Sequence, residues 1–400
     1  MKKLLRAIFH VDHLIVTSIT MMIIWLLVFV TVNVEFLDPV VHALESFSMT
    51  DIYYRIENTG KPVPNQQITL VDMTELTSRD RDKIAGVVKQ ISQMNPTALG
   101  IDIIFEGLQA NADADDELAE AFFEAPENTV LAFKLTEPDA ATGTFGNAVH
   151  SFFAQETGLT EGTVNVTNNP HRSMTTYPVF FIEHTDTVLS LPVQLSRMLG
   201  AAPLPGAREQ TINYKGTAFP VVDYKDLPRS RHLIENHIVL LGSTREESDK
   251  HLTPLGQRPG MEIMAYTLLS ILEGVHVYHA PFWQCLLWAL LTGILTNIVD
   301  LFLTRRLERS HSTVLLFLTE SEFYEKFMAF MLMALLTLCT FLFFVYHNYY
   351  VNSIPALSTI VILPEGRLLY IALLTVLKKK LKWKAVDHSL YAEEVNEKLQ

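Results

Sequence analysis

Four long apolar stretches stand apart from a chain whose remaining pattern is shorter and periodic. The first, LIVTSITMMIIWLLVFVTV at 14–32, is 19 residues without a charge, about 28 Å as a helix and so long enough to span hydrocarbon. Residues 282–303, 327–346 and 354–377 are three more candidate spans by length and apolar content. The plainer reading of any one run is a buried core helix. That reading weighs most on the last run, because PEGR at 364–367 interrupts it with Glu365 and Arg367. If that run crosses, both residues enter or border the membrane, where ionisable groups are costly and are paired or face a protein interior. The alternative is a short re-entrant or interfacial break.

Between residues 35 and 281 the period shortens. QITLVDM at 67–73 reads as a strand ending at Asp72, and SRDRDKIAGVVKQISQM at 78–94 as an amphipathic helix with Ile84, Val87, Val88 and Ile91 on one face. TALGIDIIF at 97–105 returns as a second strand. Two strands joined by a crossover helix read as a parallel pair. A helix at DDELAEAFFEA and a strand NTVLAFKL at 128–135 extend the alternation. A helix LSLPVQLSRMLG, a strand near QTINY, the strongest strand HIVLLGS at 237–243 and a helix in RPGMEIMAYTLLSILEG follow, the last punctuated by Pro259 and Gly274.

Basic residues near the span ends orient the chain. Lys2, Lys3 and Arg6 precede the first run, Arg305, Arg306 and Arg309 follow the second, and Lys378, Lys379, Lys380, Lys382 and Lys384 follow the fourth. Four crossings put all three clusters on one side, the cytoplasm. MKKLLR before an apolar run also resembles a signal peptide, but no small-x-small site follows Val32, which favours an uncleaved anchor. The expected fold is therefore an α/β extracytoplasmic domain with a mostly parallel sheet, plus four transmembrane helices, one before it and three after. The expected division is a cytoplasmic start at 1–13, spans at 14–34, 282–303, 327–346 and 354–377, an exported domain at 35–281, a cytoplasmic loop at 304–326, an external loop at 347–353 and a cytoplasmic tail at 378–400. This places the chain in the inner membrane with 35–281 in the periplasm.

Charge sharpens the division. Of the 400 residues, 49% are hydrophobic and the formal charge is −13, yet residues 35–281 hold 33 acids against 17 bases. Such a surface repels phosphates and excludes nucleic acid as a partner. Cys285 and Cys339 both fall in apolar runs, so residues 35–281 hold no disulfide and depend on their core.

In open α/β sheets ligands sit beyond the carboxyl ends of strands, where Asp72, Glu75, Asp102, Glu106 and Ser243 would gather. Paired carboxylates there hold a hard cation or serve as acid and base; the plainer reading is that they cap helices and fix loops. Asp102 reads as lying inside its strand and so as a buried structural acid. Ser243, Asp249 and His251 are a hydrolase parts list, but no G-x-S-x-G elbow surrounds Ser243. NADADDE at 111–117 has calcium-loop spacing, yet Asp116 stands where glycine is needed and Phe122 where glutamate belongs. The expectation is no catalytic residue, a ligand-binding set of Asp72, Glu75, Glu106, Ser243 and Asp249, and no resident cofactor, a divalent cation being the one such acids would take.

ITLVDMTELT, NPTALGIDIIFEG, DDELAEAF with NTVLAFKL, and HIVLLGSTREESDKHLTPLGQRPGMEIMAYTLLSILEG together resemble the second type of CHASE domain, a cyclase- and histidine-kinase-associated sensory extracellular domain. TPLG and PGMEIMA are the most specific parts. The resemblance implies one transmembrane helix before the domain, about three after it, and an extracytoplasmic sensor of an unknown small ligand. Family members commonly continue into a cytoplasmic output domain, which the loop 304–326 and tail 378–400 are too short to hold. The function expected is a membrane sensor or accessory subunit acting through a separate output or complex protein, with a homo-oligomer left open. A docking helix at 390–399 with Leu390, Val395 and Leu399 as contacts is expected there. The alternative is a periplasmic metal-dependent enzyme using the strand-end carboxylates.

Overall fold

The first apolar run folds as helix α1 (Val11–Val32). The computed structural model describes residues 8–32, 51, 53–55, 58, 60, 62–139, 141–166, 173–214, 216–308 and 322–400. Contacts divide the chain into two units, Leu44–Val277 and a helical unit of Met1–Ala43 with Tyr278–Gln400. Lys2, Lys3, Arg6, Arg309 and the stretch 35–50 lie outside the described residues.

In the Leu44–Val277 unit, β1 (Ile68–Asp72) leads to α2 (Arg81–Ser92), β2 (Ala98–Ile101) to α3 (Ala112–Phe123), and β3 (Thr129–Asp139) to β4 (Thr144–Val149). Then β5 (Thr160–Thr163), β6 (Thr176–Pro178), β7 (Phe180–Glu183) and β8 (Asp186–Leu189) precede α4 (Leu191–Met198). Last come β9 (Glu209–Thr211), β10 (Val221–Asp223), β11 (Ile238–Gly242), β12 (Lys250–Thr253), β13 (Gly256–Pro259) and α5 (Gly260–Leu272). The main sheet has nine strands in the order β10-β1-β11-β2-β3-β4-β7-β8, with β5 also paired to β3.

This sheet is mixed. Pairings from β10 to β3 and on to β5 are parallel, as is β4–β7, whereas β3–β4 and β7–β8 are antiparallel. The cause lies in β3. It is 11 residues long and turns at once into β4 through Gly143 at φ +69°, and so short a link joins only antiparallel neighbours.

Both faces of the central strands are covered, which is why they read as unbroken apolar runs. Val71, Leu99, Ile101, Leu131, Val239 and Leu241 share one core with Ile84, Val88 and Ile91 of α2 and Leu118 and Phe122 of α3. On the opposite face a Cβ added to Gly100 would stand 2.7 Å from both Leu195 Cδ1 and Leu240 Cδ2. Glycine lets α4 approach the sheet there.

One buried ion pair pins α2 to α3. Arg81 is 1% exposed and Asp115 3%. Arg81 Nη1 donates to Asp115 Oδ1, Nη2 donates to Gly107 O at 2.7 Å, and Asp115 Oδ2 accepts from Gln109 N at 2.7 Å. The guanidinium also lies 5.1 Å from the Phe153 ring centroid.

The helical unit continues with α6 (Phe282–Glu308), α7 (Glu322–His347), α8 (Ile354–Leu381) and a short α9 (Ala392–Glu397). With α1, three of these make four helices long and apolar enough to cross a membrane among the described residues. No break occurs at PEGR: α8 is continuous through Pro364. Arg367 Nη2 pairs with Asp300 Oδ2 of α6 and donates to Asn297 Oδ1 at 3.3 Å, while Glu365 is exposed. Gly293 and Gly366 let α6 and α8 approach Thr17 and Thr20 of α1 closely, as small residues do at membrane-helix crossings.

The tail is not a free docking helix. Asp12 accepts from Tyr370 Oη at 2.8 Å, Ser389 Oγ at 2.8 Å and Leu390 N at 2.6 Å, and Tyr391 Oη donates to Asn297 Oδ1 at 3.1 Å. Val386, Tyr391 and Val395 are buried, and Leu390 and Leu399 pack against the same cluster. Of the side chains expected to meet a partner, Val395 is buried and Leu390 and Leu399 are partly buried against their own unit.

Removing one member of a buried pair strands the other's charge, at about 3–5 kcal/mol, whereas replacing both with apolar groups is close to neutral. Asp115→Ala should therefore lower chemical-denaturation stability by about 3–5 kcal/mol. Arg81→Met combined with Asp115→Leu should recover most of that loss.

Candidate functional site

The parallel ladder ends together, and its acids meet at that edge. Asp72 is the last residue of β1 and Ser243 the first after β11. Strand β2 stops at Ile101, so Asp102 stands just past the strand end and not inside it as expected. Its N–H still donates to Leu241 O at 2.8 Å, after which the chain leaves the sheet.

The acids fall into two neighbourhoods. Asp72 Oδ1 accepts from Thr74 Oγ1 at 2.5 Å and Thr244 N at 3.0 Å, and Oδ2 pairs with Arg245. Arg245 reaches Asp223 Oδ2 at 3.2 Å as well. Ser243 Oγ lies 3.0 Å from Thr74 Oγ1. Burial alone would raise the Asp72 pKa, but hydrogen bonds from Thr74, Thr244 and Arg245 outweigh it and hold the carboxylate below its ordinary range. This carboxylate is committed to tying three strand ends together. Glu75 is exposed and pairs with Lys225, and Glu106 is exposed with no hydrogen bond among the described residues. The structure does not draw these two into the Asp72 network.

The second neighbourhood is poorer in partners. Asp249 Oδ2 accepts from Gly260 N at 3.1 Å, and Asp249 Oδ1 lies 3.6 Å from His251 Nε2. His251 Nδ1 and the Tyr177 hydroxyl are buried with no hydrogen-bond partner, and the Asp102 carboxyl makes none among the described residues. Burial first, then the charges of Asp249 and Glu246, pushes the Asp102 carboxyl up to about 7. Burial, then Asp102 and Asp249, drives the Tyr177 phenol pKa well up too. Asp102 is only partly buried by surface area, so water and protons reach it. The arrangement raises the pKa of one carboxyl beside other acids and offers unmet polar atoms. It is no hydrolytic triad, because Ser243 bonds to Thr74 while His251 faces Asp249.

Sequence reasoning missed Thr74, Asp223, Arg245 and Tyr177. Thr74 and Arg245 carry a signal, each two residues past a strand-end position already singled out. Tyr177 carries none, since it meets Asp102 only through the fold.

Among the described residues, no group of three or more His, Cys, Asp or Glu is placed to hold a metal ion. A mixed α/β domain between a first apolar helix and three later ones is the class of protein these observations define. A match to the CHASE2 domain family covers residues 19–298, and the chain belongs to that family. No curated protein and no solved structure matches it.

A carboxyl whose pKa is raised in the fold makes the folded chain bind more protons than the unfolded one. Asp102's contribution is therefore fully present below about pH 4 and is lost as pH rises through about 7. Unfolding midpoints measured across that window should fall for the parent chain and fall less for Asp102→Asn. Coincident curves would remove the proton from the site.

Proposed function

We propose that this chain is an inner-membrane sensor whose 35–281 domain lies in the periplasm and whose output passes to a separate protein. The observation that carries the reading is membership of a family of extracytoplasmic sensory domains, by a match running from within α1 into α6. The charge pattern supports the orientation, since the acidic domain is flanked by spans whose basic clusters share one side. A small ligand of this domain is part of the same reading.

The helical unit supplies a means of transmission. Asp12, Asn297 and Arg367 join α1, α6, α8 and the tail through directional polar contacts, and such networks pass between discrete arrangements more readily than they deform smoothly. Among the described residues, helix α7 is the span least covered by its own chain. Phe330 and Leu338 on it are 62% and 52% exposed. This is the face on which we place a partner.

A reporter fused after Tyr224 should be exported and one fused after Gln400 should stay in the cytoplasm; export of both would remove a crossing. Photo-crosslinkers at Phe330 and Leu338 in cells should capture a second protein. Capture of lipid alone would overturn the partner, and capture of this chain alone would replace it with a homo-oligomer.

A further inference from the structure

A cavity of about 550 Å³ opens in the Leu44–Val277 unit beside the turn between β12 and β13, within the size range of small-molecule sites. Its apolar wall includes Leu70, Phe219, Leu255 and Tyr266. Phe219 and Tyr266 meet edge to face at 4.8 Å, and Tyr266 Oη donates to Thr217 O at 2.6 Å. The one polar atom of that ring is therefore engaged, and what it offers a ligand is surface.

Two guanidiniums and one carboxylate are the charged groups among the described lining residues. Arg55 Nε donates to Pro254 O at 3.3 Å, which fixes the side chain along the wall, and no other hydrogen bond from it occurs among the described residues. Arg258 Nη1 stands 3.4 Å from Glu262 Oε1, while Arg258 Nε is buried with no hydrogen-bond partner among the described residues. Among the described residues of the lining, Glu262 neutralises one guanidinium and leaves one positive charge in excess. That excess sits in a region of 33 acids against 17 bases, so it is a local departure from the domain's field. The backbone is held as well: Thr253 Oγ1 donates to Gly256 O at 2.7 Å, and Gly256 takes φ +93° to close the turn that carries Leu255 into the cavity lining.

We propose that this cavity binds an organic monocarboxylate with a compact apolar body. The planar fork of arginine matches a carboxylate in two-point contact, and the single excess charge suits a monoanion, where a phosphate dianion would remain half uncompensated. The apolar wall demands a body that inorganic anions lack. The site deepens the sensor reading, on which its physiological meaning rests, while binding itself is independent of signalling.

The full chain in nanodiscs, titrated calorimetrically with 3-phenylpropionate, 3-phenylpropanamide, 3-phenylpropylamine and inorganic phosphate, tests this. The carboxylate should bind at least about tenfold more tightly than the isosteric amide, as loss of one charge-assisted pair requires, with the amine and phosphate weaker still. Arg258→Gln should remove that preference. Leu255→Trp, which fills the cavity and keeps both guanidiniums, should weaken carboxylate and amide together, so a folding failure of one variant leaves the other decisive. Equal binding of carboxylate and amide, binding unchanged in both variants, or no heat with any probe up to about 10 mM, beyond the weak end of useful affinities, would overturn the assignment. Carboxylate binding with no change in crosslinking from α7 would leave the cavity standing and count against the sensor reading instead.

Discussion

The last hydrogen bonds of the parallel ladder, Met73 N to Gly242 O at 2.7 Å and Asp102 N to Leu241 O at 2.8 Å, decide where the chain leaves the sheet. Strands β1, β11 and β2 are in register, so their exits lie side by side. Everything polar at this edge follows. Asp72 finds the N–H of Thr244 because both strands stop at the same level, and Asp102, at the matching level of β2, meets the field of Asp249 from the turn before β12. Two acids at equivalent positions then acquire opposite chemistry. Asp72 is surrounded by donors and held ionised, whereas Asp102 faces acids and its pKa is pushed up to about 7. Environment, more than residue type, separates a structural carboxylate from a titrating one.

Much of this was legible in the chain. The strands at 68–72 and 238–242 and the helix at 81–92 follow from apolar runs and a helical period, because both signals are local. Asp102 was misjudged because apolar residues continue to Phe105: the composition stays strand-like after the ladder has ended. The antiparallel extension was hidden because β4, β7 and β8 are half exposed and carry weak patterns. Arg81 was hidden in a different way. An arginine in the first turn of an amphipathic helix reads as solvated, and only the fold brings Asp115 from 34 residues away to bury it.

Proline deceived for a related reason. In a soluble helix Pro364 would leave a carbonyl facing water or nothing, and a break is the usual outcome. Within an apolar bundle, neighbouring helices and polar side chains make a continuous proline-bearing helix tolerable. The unbroken α8 thus carries Arg367 to the level of Asp300 and Asn297, which a re-entrant break would have turned elsewhere.

The Arg367–Asp300 pair also has a temporal side. The ribosome makes α6 before α8, so Asp300 is synthesised before its counterion, and a lone charge in an apolar span opposes insertion, most of all at the helix centre. Arg367 lies near the middle of α8 and Asp300 toward the end of α6, so α8 has more to gain from the pair. Insertion of α8 is thus expected to depend on an α6 already in place, across the intervening α7.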